Sequence, residues 1–321
     1  MTRYYKKFQL SNKSLKNVLK IFSYIFFGLA IFYIFNQIVS NWNQLNKGIK
    51  YFNIKYFIFY IFLLQGFFWY QVNLWRIIIK GLGSKLDFFR CAYMYFSNNL
   101  LSYVPGKVAN ALGMVSIANR YKISVKNTIT TIVLFQIYSL ISGTLLISIF
   151  SFFSDRNIIS YLNLDNIWIL FIASFIGLIA IYPTFQAYSL KIIENFTGKK
   201  INNLNTPFNS SLFNIFLYGI GWLLSSLSFF MLLKTFILNN EILIFPLVVV
   251  ILITSYLSGL FAFVVPAGFG ILEAGLIYGM GNIFQVDQII LVVVFYRLGN
   301  IISTVLSWLI LRIILFLRKS N

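Results

Sequence analysis

The chain has 321 residues, 59% of them hydrophobic and 10% charged, and 26 Lys and Arg stand against seven Asp and Glu for a net charge of +19. With a mean hydropathy of +0.82, this excess of base does not mark a nucleic-acid binder: most of it sits at the ends of apolar runs, where membrane topology and anionic headgroups account for it. One cysteine, Cys91, and no histidine exclude an intrachain disulfide, a Cys/His metal centre and Ser-His-Asp or Cys-His catalysis.

The apolar runs recur along the whole length, and a helix of about 20 residues crosses a hydrocarbon core of roughly 30 Å. Residues 1–20 carry Arg3, Lys6, Lys7, Lys13, Lys16 and Lys20 and no acid, which places the N-terminus in the cytoplasm. The first span runs from Ile21 to about Ser40; it is too long for a signal-peptide core and lacks a cleavage site. The second, Tyr56 to Ile79, ends in WRIIIKGLG, and Lys80, Lys85 and Arg90 return the chain to the cytoplasm. Arg76 reads as an interfacial anchor, and Trp69 and Trp75 as packing or interface-belt residues.

From Cys91 to Tyr121 the apolar run is split by Ser97, Asn98, Asn99 and Pro105 into two pieces about half as long as a crossing helix. Arg120, Lys122 and Lys126 follow, so basic residues flank both ends, and the segment is expected to be a re-entrant hairpin. Thr128 to Phe153 then crosses outward to the loop Asp155 to Asp165. Ile167 to Gln186 crosses back to the polar loop Lys191 to Ser211, and Leu212 to Leu233 crosses out again. Ile242 to Val265 meets Pro266 and AGFGILEAG, and a short piece ends near Asn282. With no base on either flank, this is expected to be a second hairpin, entered from outside. Gln288 to Phe316 is the last span, and Arg312, Arg318 and Lys319 put the C-terminus inside. The alternative is eight full crossings, which also leaves both ends inside.

The two halves, 1–160 and 161–321, share one plan of two spans, a proline hairpin and a span. Pro266 follows Pro105 at the same interval at which Arg297 follows Gln136, and that interval is half the chain. Three crossings per half require the second copy to be inverted, giving an all-α polytopic membrane protein of six full spans and two re-entrant hairpins. Broken helices occur at membrane depth only where protein or a watery cavity covers the freed backbone, and in inverted-repeat transporters they mark the binding site. The first hairpin supplies Asn98, Asn99, Tyr103, Lys107 and Asn110 as candidate binding residues, with Pro105 and Gly106 forming its turn. A helix beginning at Pro105 aims its N-terminus inward, with Lys107 nearby, which is a geometry for anions. The second hairpin has Pro266, Gly268 and Gly270 as turn formers. Gln136, Glu273 and Arg297 complete the set. Charges as deep as Glu273 and Arg297 cost at least a few kcal/mol each unless paired or hydrated, so the two are expected to face the hairpin region together, either as a neutral-sum pair holding the second hairpin against its neighbour or as a phosphate contact by Arg297 or a protonatable Glu273. Asn98, Asn99 and Ser102 also suit plain capping of the turn.

The series WRIIIKGLG, SNNLLSYVPGKVANALG, VPAGFGILEAG and FYRLGN resembles the transmembrane region of the lysylphosphatidylglycerol synthase family, also described as the flippase-like domain family, over about residues 18–316. Two departures stand out. The family often has Gly followed by Glu or Asp where this chain has Ala109 and Asn110, and a Glu-Arg pair where it has Phe135 and Gln136. The full synthases also carry a soluble aminoacyl-transfer domain that these 321 residues do not include, so aminoacylation of lipid is not expected of them. The resemblance implies a lipid-translocating domain of the bacterial cytoplasmic membrane, with no cofactor or metal, handling an anionic lipid or a lipid-linked saccharide and partnering membrane lipids and envelope-synthesis proteins. Two other readings stay open: a scaffold for a synthesis complex, and an enzyme acting on lipid headgroups.

Overall fold

The computed structural model describes residues 52–103, 107–151, 208–236, 245–261, 268, 270–281 and 283–320, with residues 39, 172, 175, 177 and 179 singly; for residues 107–112, 261, 286, 287, 319 and 320 it describes the backbone alone. The expected spans Ile21 to Ser40 and Ile167 to Gln186, and the residues Pro105, Gly106 and Pro266, lie outside the described residues.

Eight helices are described: α1 Ile54–Gly81, α2 Phe88–Ser102, α3 Lys107–Arg120, α4 Val125–Ser151, α5 Phe208–Phe236, α6 Phe245–Phe261, α7 Ile271–Gly281 and α8 Val286–Ser320. Four are long and apolar enough to cross a membrane: α1, α4, α5 and, in α8, Gln288–Arg318. They correspond to the four expected spans that fall on described residues and overrun most of them by a turn or less. The overrun is polar or basic, as at Lys55, Lys80 and Asn127, because a helix continues into the headgroup region where hydropathy has already ended. The other four have 15, 14, 17 and 11 residues. With a rise of about 1.5 Å per residue, none of these spans a core of roughly 30 Å with margin.

Burial is arranged for lipid. Ile129, Val133 and Ile137 on α4, and Ile302, Leu306, Ile310, Ile313 and Phe316 on α8, form exposed apolar stripes at helical spacing. Hydroxyl side chains turn inward and satisfy themselves on their own helix, as Thr131 does on the Asn127 carbonyl (2.7 Å), Ser148 on Thr144 (2.9 Å) and Ser255 on Ile251 (2.7 Å). In hydrocarbon this back-bonding gives these hydroxyls a partner that lipid cannot supply.

α1 and α5 pack antiparallel at the centre: the Asn53 amide donates to the Thr235 carbonyl (3.0 Å) at one end, and the Tyr70 hydroxyl donates to the Leu217 carbonyl (2.8 Å) nearer the other. Around them every well-packed helix pair among the described residues has a counterpart when α1–α4 are exchanged for α5–α8: α1–α2 with α5–α6, α2–α3 with α6–α7, α3–α4 with α7–α8, α1–α4 with α5–α8, α2–α8 with α6–α4 and α4–α5 with α8–α1. The start of α8 follows the start of α4, and the end of α7 the end of α3, at the interval that separates Pro266 from Pro105.

Several helix ends meet at one end of the molecule. The Asn127 side-chain amide donates to the Leu82 carbonyl (3.0 Å) and the Ser84 hydroxyl (2.9 Å), tying the start of α4 to the end of α1. Arg90, early in α2, lies 5.8 Å from the Tyr121 ring centre just after α3. Asp87 pairs with Arg90 (3.2 Å) and reaches Arg318 near the end of α8 (4.0 Å). The two ends of the α2–α3 pair therefore lie together on one side. At the opposite end Phe245 of α6 meets Phe150 of α4 and Phe230 of α5 at ring-centre distances of 6.3 and 5.7 Å.

Close approach fixes Gly299 on α8. A Cβ there would overlap the hydroxyl of Tyr60, which is fully buried on α1. Gly299→Ala is expected to cost about 1–3 kcal/mol of stability by overpacking, and Tyr60→Phe in the same chain to recover part of it, as read from thermal unfolding in detergent.

Candidate functional site

α2 ends at Ser102, whose hydroxyl donates to the Asn99 carbonyl (2.6 Å) and satisfies one of the orphan acceptors of the helix end. Tyr103 is the C-cap in right-handed helical conformation (φ −77°, ψ −11°). It brings the end of α2 inward, where its side chain comes close to Arg297 and Glu273.

The second helix pair reaches the same place from α7. Gly268 (φ +65°) and Gly270 (φ +83°) take the left-handed backbone that glycine adopts without strain. The Gly270 carbonyl accepts the first helical hydrogen bond from Ala274 (2.9 Å), so Gly270 is the N-cap and Glu273 stands at the third helical position. Glu273 folds back in half of a capping box: its Oε2 accepts from the Gly270 amide at 2.7 Å. Its Oε1 accepts from Arg297 Nε. Both partners are buried, Glu273 at 6% and Arg297 at 7% exposure. Arg297 lies about three turns into α8, roughly 17 Å along its axis.

Gly268 is also crowded. A Cβ there would stand 3.0 Å from the Gly259 Cα of α6, whereas one at Gly270 would meet nothing within 4 Å. Gly268→Ala is expected to lose more stability than Gly270→Ala, which carries only the left-handed strain of about 1–2 kcal/mol. Parallel unfolding of the two variants tests the ordering.

Aromatic side chains surround the pair. Tyr256 on α6 lies near Arg297 and Tyr103. It keeps 38% exposure although its ring packs edge-on to Trp222 at 5.0 Å. Tyr296 precedes Arg297 and is held by Phe229 (5.2 Å), and Asn300 donates to the Tyr296 carbonyl (2.7 Å). On α2 the Asn99 side chain lies close to Tyr95, and the Oδ1 of Asn98 is buried without a partner among the described residues.

Tyr103, Glu273 and Arg297 are thus brought together. Lys107 and Asn110 fall in the first turn of α3 by their backbone, and their side chains lie outside the described residues. Gln136 is half-buried on α4, as far from the start of its helix as Arg297 is on α8, and no described hydrogen bond joins it to the cluster. Sequence reasoning missed Tyr256, Tyr296 and Asn300. A signal was available for two of them: Asn300 stands one helical turn after Arg297 in YRLGN, and Tyr256 follows Tyr95 at the interval that separates the two prolines.

The arrangement offers a buried cation, a carboxylate that balances it and a helix N-terminus, ringed by aromatic hydroxyls. Among the described residues no group of three His, Cys, Asp or Glu is placed to hold a metal ion. No curated protein matches the chain. Residues 20–307 match the family described as the lysylphosphatidylglycerol synthase TM region. That match covers most of the chain, and the chain belongs to this family of membrane proteins.

Proposed function

We propose that the protein translocates an anionic, phosphate-bearing lipid or lipid-linked saccharide of the cell envelope between leaflets, with the headgroup passing the tips of the two short-helix pairs while the acyl or prenyl chains stay in the bilayer. The observation that carries this reading is the meeting of Tyr103, from the first pair, with Glu273 and Arg297, from the second pair and α8, deep among apolar helices. An intramembrane ion pair is expensive, so such a pair marks a functional path more often than a structural brace.

The membrane arrangement belongs to the same proposal. Both ends of the α2–α3 pair lie beside Asn127, Arg90 and Arg318, which supports re-entry from one side. Lys80, Lys85, Arg90, Arg120, Lys122, Lys126 and Arg318 flank the helix ends that meet there, which favours that end, and both termini, for the cytoplasm. The matched helix pairs support an inverted repeat of residues 1–160 and 161–321. One repeat rocking against the other would then open the polar centre to each side in turn.

The test is reconstitution of the full chain in liposomes carrying a trace of fluorescently labelled phosphatidylglycerol or labelled prenyl phosphate, with a membrane-impermeant quencher outside. Transport predicts that nearly all the label becomes quenchable, against about half in protein-free vesicles. Equal protected fractions for both lipids, with and without protein, would overturn the reading and move weight to the scaffold.

A further inference from the structure

The centre of the proposed path is an anion site with an occupant already in it. Glu273 takes up two features that would hold a phosphate. Its Oε1 accepts from Arg297 Nε, and its Oε2 accepts from the Gly270 amide at the start of α7. A buried guanidinium and the amides of a helix N-terminus are the groups that bind phosphate elsewhere in proteins. Here they converge on one buried carboxylate, close to Tyr103 at the end of α2.

We propose that Glu273 is a resident stand-in for the ligand, and that a phosphate-bearing headgroup binds by displacing it from Arg297 and the α7 N-terminus. The proposal rests on the translocation reading and adds how the site chooses and releases its ligand. A neutral headgroup cannot replace the carboxylate, because it would leave Arg297 uncompensated among apolar helices. A phosphate can. The displaced carboxylate cannot stay as an unpaired ion there either, so it takes a proton from water and departs as the neutral acid, one proton for each headgroup bound. The side chains tied to Glu273 among the described residues are Arg297 on α8 and Tyr103 at the end of α2, with Tyr296 and Tyr256 beside Arg297. Arg297 is the only cation among them and the one whose charge changes hands. Release is the reverse: Glu273 loses its proton, re-forms both contacts and expels the phosphate, so the site does not retain its ligand.

The experiment titrates dihexanoylphosphatidic acid, and separately inorganic phosphate, into the purified full chain in detergent, reading affinity and proton uptake in weak buffer. Glu273→Gln removes the competing charge and keeps the shape. The lipid is expected to bind this variant about tenfold tighter or more, without the proton uptake seen in the parent. If it binds no tighter, or the parent takes up no proton, displacement is wrong while translocation stands. If the lipid binds neither protein, both readings fall. Equal affinity of Glu273→Gln for inorganic phosphate and the lipid would overturn a lipid headgroup as the ligand. Should Glu273→Gln not fold, Glu273→Met with Arg297→Met removes the pair as a neutral unit; loss of lipid binding then upholds the site, and binding at the parental level overturns it.

Discussion

Arg297→Gln is expected to abolish translocation and to lower the unfolding free energy by about 3–5 kcal/mol, the usual cost of removing one partner from a buried ion pair. The cost comes from what remains. Glu273 keeps its hydrogen bond from the Gly270 amide but loses its only described cation in an interior that hydrates charge poorly. Tyr103 loses the guanidinium beside it in the same step, so the two helix pairs come apart where they meet. Arg297→Lys should restore most of the charge balance and little of the transport, because an ammonium cannot reproduce the planar guanidinium whose Nε donates to Glu273. The double variant Arg297→Met with Glu273→Met separates the two effects. It should unfold within about 1–2 kcal/mol of the parent, since apolar replacement of a whole buried pair is often neutral, and it should still not transport. Adding Glu273→Met and Arg297→Met singly to this set completes a double-mutant cycle, read by unfolding in detergent and by the liposome assay, whose coupling energy measures the pair directly. A single Arg297→Gln variant with parental stability and rate would remove the pair from both the structure and the mechanism.

The site was partly legible in the sequence because expense at membrane depth is visible one residue at a time. Glu273 and Arg297 stand out against their apolar neighbours, and their charges required a partner before any fold was known. The turn at Gly268 and Gly270 was readable for a similar reason, since their positive φ values are what glycine is placed to supply. The role of Glu273 as a cap was within reach, because Gly270-Ile-Leu-Glu273 has the spacing of a capping box with glycine in the N-cap place. Beyond Tyr103 and the offset that links Tyr256 to Tyr95, the tyrosines were not legible. Tyr95, Tyr256 and Tyr296 are three among 20 in the chain, and a tyrosine costs little enough in a membrane that its position carries no warning. Which of them border the centre is decided by helix rotation, and rotation is set by packing, such as Tyr256 against Trp222 and Tyr296 against Phe229. Gln136 shows the same gap from the other side. Its offset from Arg297 gives it the same place along its helix, but helical position fixes depth and leaves direction open.

Sidedness is the other prediction with an all-or-none outcome. In a chain with Cys91→Ala, single cysteines at Asn119 and Lys126 are expected to resist a membrane-impermeant thiol reagent on intact cells and to react fully once the membrane is opened, as a cysteine at Lys85 should. Cys91 is buried on α2, its thiol facing the Val72 carbonyl, so its removal is a small change in the core rather than at the sites labelled. The expectation follows from physical continuity. Lys85 adjoins Ser84, which accepts from Asn127, and Asn119 lies within one turn of helix of the Arg90 contact at Tyr121. Four helix ends joined this closely cannot lie on opposite faces of a core roughly 30 Å thick. If Asn119 and Lys126 share the side of Lys85, the chain enters and leaves by one face between α1 and α4, and three crossings remain in the first half. An odd number of crossings is what inverts the second half, so the same labelling result decides whether Gly270 and Glu273 approach Tyr103 from the opposite face. Labelling from outside would make α2 and α3 together a crossing. Four crossings in the first half would set α1 and α5 parallel, against their antiparallel packing, so that result would overturn both the inverted repeat and this arrangement of the helices.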